Sequence, residues 1–251
     1  MTGFYAHNKL LRQNRLIHIM RKIIIFFTLV AMTIFTPLAF AMEGELSTIF
    51  EEVSSPLDRP KLILETMKSR EEANVAIQNI KEPLTHDEKY MLDRWSSGRE
   101  TYNKNLRADK LDDNAVTLEK ILEKFPPYQK KVYRTTETNA FRDGLIEEGD
   151  IVMDKGFLPT SSSPEFIKTF RASINDTFFV IEPKLSAYPL VSNPLQNEVL
   201  FTPQTTFKVK EVQTINGKSY VHLEETDILG SRGIKNIHTG EQYLDTRCSS
   251  F

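Results

Sequence analysis

The sequence predicts an α+β fold in which a helical first half is followed by a β-rich second half. From residue 59 to about residue 125, apolar side chains recur at spacings of three and four, which is typical of amphipathic helices. After Pro126 and Pro127 the pattern changes to short runs of β-branched and aromatic residues, which favour strands. Residues 42–251 are numerous enough to form one domain with a sizeable core.

The helical half is divided by recognisable start and stop signals. Pro83 ends the first periodic run, and Thr85-x-x-Glu88 has the spacing of a capping box that opens a helix. The predicted helices are 59–80, 85–95, 97–107 and 112–125. The predicted strands are 131–136, 177–181, a strand that begins near residue 196, and a hairpin of 210–215 and 218–224 whose type I′ turn is Asn216-Gly217.

The first 41 residues predict a secretory signal peptide. They contain five basic residues and no acidic one, and an apolar run over 23–41 ends in Ala39-Phe40-Ala41. We expect cleavage before Met42 and a secreted protein, with Met20 as an alternative start of the leader. The other interpretation is a membrane-spanning helix, against which the proline in the run and its Ala-x-Ala end both argue.

Charge and cysteine content restrict the partners of the mature chain. Without the five basic residues of the leader, 27 of the 32 basic residues remain against 34 acidic residues, so the net charge is near −7. A nucleic-acid partner is therefore not expected, because phosphate binding requires a basic face. Cys248 is the single cysteine, which excludes an internal disulfide. We expect a monomer.

Several polar residues interrupt the predicted strands. Gln196 and Glu198 are two apart, so an extended chain directs both side chains to one face. Arg134 lies within a strand, where it is either at the surface or held by an anionic group, since burial without a partner is costly. Each feature alone also fits a structural interpretation: a solvated strand for Gln196 and Glu198, and a cation at a helix C-terminus for Arg107.

The order of these features carries more information than any one of them. The chain contains, in sequence, Asn103-x-x-Leu106-Arg107, Tyr133-Arg134, Gly156-Phe157-x-x-Thr160-Ser161, and Gln196-x-Glu198 followed by Thr205, Phe207 and Val209. This order resembles the bacterial mono-ADP-ribosyltransferase exotoxins and effectors, among them the clostridial Rho-modifying exoenzymes. The resemblance covers about residues 100–210. It implies an N-terminal helical lobe (42–128) packed on a β-rich catalytic core (129–251) of two antiparallel-type β-sheets, the ADP-ribosyltransferase fold.

The resemblance also implies roles for individual residues. Glu198, Gln196, Arg134 and Ser161 would be catalytic, and Gln196 and Tyr188 would recognise the acceptor. NAD would be bound by Arg107, Arg134, Thr160, Ser161, Phe170, Arg171 and Glu198. Phe166 and Lys168 are rivals for Phe170 and Arg171, and a short amphipathic helix with Phe166 and Phe170 in the core is the competing interpretation. Pro159 departs from the family pattern, because it stands where the relatives have the first serine, which helps to hold the catalytic glutamate. Thr160, Ser161 and Ser162 are the candidates to replace that serine.

The implied reaction uses NAD as a co-substrate and requires no metal. Cleavage of the nicotinamide–ribose bond passes through an oxocarbenium-like state, and the carboxylate of Glu198 would stabilise its positive charge. Relatives that modify arginine carry Glu at the position of Gln196, so similarity to the Rho-modifying exoenzymes favours an asparagine acceptor, with glutamine or threonine as further options. The resemblance predicts a secreted toxin or effector, with a small GTPase as one candidate acceptor. An NAD glycohydrolase and a catalytically inactive NAD-binding module are the alternatives.

Overall fold

The computed structural model describes residues 55–98, 101–169, 177–190, 197–227 and 233–243. The predicted signal peptide and Met42, Phe170, Arg171, Gln196 and Cys248 lie outside these ranges. The helices are α1 Arg59–Gln78, α2 His86–Ser96, α3 Tyr102–Arg107, α4 Asp113–Leu122 and α5 Pro164–Lys168. The strands are β1 Val132–Thr136, β2 Ile151–Met153, β3 Leu158–Ser161, β4 Thr177–Glu182, β5 Ala187–Pro189, β6 Glu198–Phe201, β7 Thr206–Ile215, β8 Lys218–Glu225 and β9 Ile234–Asn236.

The helices follow the sequence signals closely, with one exception. The capping box of α2 is formed on both sides: Glu88 N–H donates to Thr85 Oγ1 (3.3 Å), and Thr85 N–H donates to Glu88 Oε2 (2.8 Å). The predicted start of the third helix at Ser97 is wrong, because Gly98 has a φ of 66° and follows the end of α2. Within the described ranges, no helix combines the length and hydropathy needed to cross a bilayer.

The strands form one hydrogen-bonded sheet of nine, in the order β5-β6-β3-β1-β4-β8-β7-β2-β9. The β4–β8 and β2–β9 pairs are parallel, and the other neighbouring pairs are antiparallel. The predicted hairpin is confirmed, with φ of 53° at Asn216 and 77° at Gly217. The predicted α+β class is also confirmed, and the two expected sheets are joined because β4 pairs with β1 on one side and β8 on the other.

Two hydrophobic cores show how this sheet is arranged. The rings of Phe201 and Phe207 lie 5.0 Å apart in an edge-to-face contact, although β6 and β7 are second and seventh in the strand order. The sheet therefore folds over so that its two halves enclose one core, which includes Val132, Phe179, Phe201, Phe207 and Leu223. The helices cover the outer face of β3 and β6, where a second core includes Leu118, Leu122, Phe157 and Leu200.

Candidate active site

The pairing of β3 with β6 brings two separate sequence motifs together. Ser161 lies directly opposite Glu198, and Tyr133 on β1 lies opposite Ser161. Paired residues of neighbouring strands point to the same face, so these three side chains form one row across the sheet. Ser162 N–H donates to the carbonyl of Asn197 (2.9 Å), which continues the pairing past the end of β6. Residues about forty positions apart thus share one small region.

The carboxylate of Glu198 is held by an aromatic residue of the helical lobe. The indole Nε1–H of Trp95, in the last turn of α2, donates to Glu198 Oε1 over 3.0 Å. Burial raises the pKa of the Glu198 carboxyl, while the hydrogen bond from Trp95 and the positive charge of Arg134 oppose that rise. Sequence reasoning missed Trp95, because no local pattern links an indole to a carboxylate 103 residues away.

The Gly-Phe motif fixes the position of this indole. Trp95 packs edge-to-face on Phe157, with ring centroids 5.2 Å apart, and stacks with Tyr102 at 6.2 Å. The side-chain amide of Asn103 accepts from Phe157 N–H (2.8 Å) and donates to the Phe157 carbonyl (2.9 Å). A Cβ at Gly156 would lie 2.6 Å from Asn103 Oδ1, so only glycine permits this approach.

Arg134 starts from the opposite face of β1 but interacts with the same carboxylate. Its Nη1 donates to the carbonyl of Pro159 on β3, and its buried Nε–H has no hydrogen-bond partner among the described residues. The pKa of Arg134 is lowered to about 10, chiefly by burial and also by the charge of Arg107, while the charges of Asp154 and Glu198 oppose this decrease. The guanidinium therefore stays charged at neutral pH, and its unpaired donor suits an anionic ligand such as a dinucleotide phosphate.

Arg107 is held by a carboxylate that the sequence did not single out. Its Nε and Nη2 donate to Asp154 Oδ1 (2.9 Å) and Oδ2 (2.6 Å), and His238 Nε2 lies 2.9 Å from Oδ2. Burial alone would raise the pKa of Asp154, but the hydrogen bonds from Arg107 and His238 hold it well below its usual range. The side chain of Arg107 remains 41% exposed, so part of its guanidinium faces solvent.

The remaining predicted residues occupy varied positions. Thr160 Oγ1 donates to the carbonyl of Val199 (2.6 Å), so this hydroxyl joins β3 to β6. Tyr188, expected to recognise the acceptor, lies in β5, where it pairs with Leu200 and packs half-buried against the second core. Lys168, a rival for the phosphate-binding cation, is 1% exposed and forms an ion pair with Glu165 within α5 (2.5 Å). The assignments of Gln196, Phe170 and Arg171 stay predictions.

Asn197 is a further unusual residue beside Glu198. It has a left-handed φ of 50°, which asparagine tolerates better than most residues, and it is 2% exposed. Both polar atoms of its side-chain amide are buried and have no hydrogen-bond partner within the described part of the chain. An unpaired buried amide is costly, so the site contains polar groups that a ligand can satisfy, as at Arg134.

Comparison with known proteins identifies the fold and the chemistry together. Residues 114–229 match the family model of the NAD:arginine ADP-ribosyltransferases. This segment, 116 of the 251 residues, has the sequence pattern of the ADP-ribosyltransferases. This matched segment contains β1, β3 and β6, which carry Arg134, Ser161 and Glu198. The protein is therefore an NAD-dependent mono-ADP-ribosyltransferase, as its motifs predicted.

Several known proteins are similar to this transferase. The Vis protein of Vibrio splendidus strain 12B01 is 24% identical over 182 residues, which cover 63% of this chain and 73% of Vis. A crystal structure of ADP-ribosyltransferase Vis with agmatine has a TM-score of 0.65 at 21% identity, covering 77% of this chain and 99% of that one. The C3 exoenzyme of Clostridium limosum has a TM-score of 0.50 at 16% identity, covering 64% and 96%. At these identities the structural matches establish the fold.

Replacing Glu198 tests its predicted role directly. We expect Glu198→Gln to reduce nicotinamide release from NAD by about 10²- to 10³-fold, because the variant keeps the shape but loses the charge that stabilises the transition state. Release is measured by chromatography at saturating NAD. Glu148→Gln, which removes an exposed carboxylate, is the matched control and should retain parental activity. Parental activity in Glu198→Gln would show that this carboxylate is not catalytic.

Replacing Asp154 tests the stability provided by its buried ion pair. We expect Asp154→Asn to lower the free energy of unfolding at pH 7 by about 3 kcal/mol, because Arg107 loses a buried partner. The pKa of Asp154 is depressed in the folded state, so its contribution is complete above the unfolded pKa of about 3.8 and declines as the pH falls below it. Between pH 7 and pH 3 the difference from the parent should narrow by about 1 kcal/mol.

Urea unfolding at the two pH values measures this difference. Asp143→Asn, which alters an exposed pair with Arg142, is the control and should change stability by about 0.5 kcal/mol or less. A difference that is the same at both pH values would contradict the assignment of the low pKa to Asp154.

Proposed function

We propose that this transferase is exported and attaches a single ADP-ribose to an arginine side chain of a protein in a target cell. Support for the acceptor comes from the family model, which is that of the NAD:arginine ADP-ribosyltransferases, and from the similarity to Vis, which has been crystallised with agmatine. Agmatine carries the guanidinium group of arginine. Support for export comes from the basic, apolar and small-residue segments of the predicted signal peptide before Met42.

The observation that carries the proposed chemistry is the half-buried carboxylate of Glu198 beside the charge of Arg134. Arg134 donates to the Pro159 carbonyl of β3 and Glu198 lies opposite Ser161 of the same strand, so both charged groups lie beside β3, and each influences the pKa of the other. Glu198 supplies negative charge where the ribose becomes positive, and Arg134 and Arg107 supply positive charge for the phosphates. NAD supplies the ADP-ribosyl group and the leaving nicotinamide. The C–N bond to nicotinamide breaks, a bond to the acceptor nitrogen forms, and the acceptor releases one proton.

Gln196 bears on the choice of acceptor. Its amide oxygen can accept a hydrogen bond from a guanidinium N–H, although it lacks the charge of the glutamate that arginine-modifying relatives carry. The asparagine acceptor that this glutamine favours is the competing assignment. Both acceptors present an N–H group to the same amide, so an experiment must separate them.

Direct competition between small acceptors decides this proposal. Incubating the mature chain with NAD and equal concentrations of agmatine and an asparagine-containing peptide should yield ADP-ribosyl-agmatine as the main adduct by mass spectrometry. Glu198→Gln is the control for enzymatic origin and should yield about 10²- to 10³-fold less adduct. Modification of the peptide alone would support asparagine, and release of nicotinamide without any adduct would indicate an NAD glycohydrolase. Either result would contradict arginine transfer.

A further inference from the structure

We propose that Trp95 is a positioning residue for Glu198 and takes the place of the serine that this chain lacks at position 159. The indole N–H, supplied by the helical lobe, holds one carboxylate oxygen so that the other can meet the substrate. This inference rests on the proposed role of Glu198 in ADP-ribosyl transfer. It adds to that role a residue from outside the segment 114–229 that matches the family model.

The contact engages one oxygen of the carboxylate. Trp95 Nε1 lies 3.0 Å from Glu198 Oε1, a normal length for a hydrogen bond to a carboxylate. Within the part of the chain that the structure describes, Oε2 accepts no hydrogen bond. A donor on one oxygen restricts rotation of the carboxylate about its last bond, so the orientation of the second oxygen is set before the substrate arrives.

The indole itself has little freedom to move. It lies against Phe157, which is fully buried, and against Tyr102, which is 3% exposed. Phe157 is in turn fixed through both its backbone groups by the side-chain amide of Asn103. A donor positioned by packing on two other elements meets the requirement for a preorganised group, since its geometry does not depend on solvent.

Residue 159 provides no hydrogen-bond donor for the Glu198 carboxylate. Pro159 pairs with Leu200, so residue 159 lies on the same face as Glu198 and diagonal to it, within reach of a long side chain. Proline has neither a hydroxyl nor an N–H to offer the carboxylate. The carbonyl of Pro159 accepts a hydrogen bond from Arg134 Nη1, so the backbone at this position contacts Arg134 rather than Glu198.

The chain offers an unusually clean test, because Trp95 is its only tryptophan. Global replacement of tryptophan by benzothienylalanine exchanges the indole N–H for sulfur at this one position and preserves the ring shape. We expect kcat for nicotinamide release to fall about tenfold at acidic pH and the acidic limb of the pH–rate profile to move up by about one pH unit, because the ionised carboxylate loses a donor. KM for NAD should change less than kcat.

Two companion variants separate positioning from packing. Pro159→Ser, made in the benzothienylalanine protein, should restore part of kcat and move the acidic limb back toward its parental position. Tyr90→Phe, which removes a hydroxyl from an exposed residue of the same helix, should leave the profile unchanged. Circular dichroism establishes that each variant is folded.

Trp95 emission gives a readout that does not require activity. In the parent, indole fluorescence should titrate with the ionisation of Glu198, and Glu198→Gln should abolish that titration. If the parent releases no nicotinamide with any acceptor, the proposed function fails, and the emission titration alone decides the contact. A parental pH profile in the benzothienylalanine protein, a loss of rate with no shift and no rescue by Pro159→Ser, or an absent emission titration would each overturn the proposal.

Discussion

The antiparallel pairing of β3 with β6 is the interaction on which the rest of this structure depends. It sets Ser161 opposite Glu198 and Thr160 opposite Val199. Ser161 and Glu198 therefore lie on the face toward the helical lobe, and Thr160 and Val199 lie on the face toward the inner core. Strand side chains alternate with a period of two, so a shift of one residue would turn Glu198 into the apolar core. The Thr160 hydroxyl on the Val199 carbonyl and the Ser162 amide on the Asn197 carbonyl both oppose such a shift.

The active site contains charges that are buried but differ in how they are satisfied. Asp154 receives Arg107 and His238, so its negative charge is fully paired. Among the residues that the structure describes, the buried Nε–H of the half-buried Arg134 has no hydrogen-bond partner, and the buried amide of Asn197 has none either. Paired buried charges stabilise the fold around the site, whereas unpaired donors reduce stability and leave capacity for a ligand. Asp154 holds Arg107 in position while leaving part of its guanidinium exposed, whereas Arg134 keeps a buried donor for a ligand.

Sequence reasoning could find the elements whose signals are local. The capping box at Thr85 and Glu88, the Asn216-Gly217 turn and the order of the motifs through Glu198 each depend on neighbours in the chain. Contacts between residues far apart in the sequence could not be predicted in this way. The contact between the Trp95 indole and Glu198 is one example. The contact between His238 and Asp154 is another, and His238 follows β9, which pairs with β2. The helix α3 begins at Tyr102 and not at Ser97 as predicted, because Gly98 adopts a left-handed backbone conformation that is incompatible with a helix.

We infer that Arg134 and Glu198, which lie on opposite faces of β1 and β6 with β3 between these strands, act on the same half of the dinucleotide. The most direct measurement is a crystal structure of the mature chain with a non-hydrolysable NAD analogue. The account predicts that the Arg134 guanidinium and the Glu198 carboxylate each lie within about 3 Å of a polar atom of the nicotinamide mononucleotide half. A dinucleotide that contacts only one of the two, or that binds away from β1, β3 and β6, would contradict it.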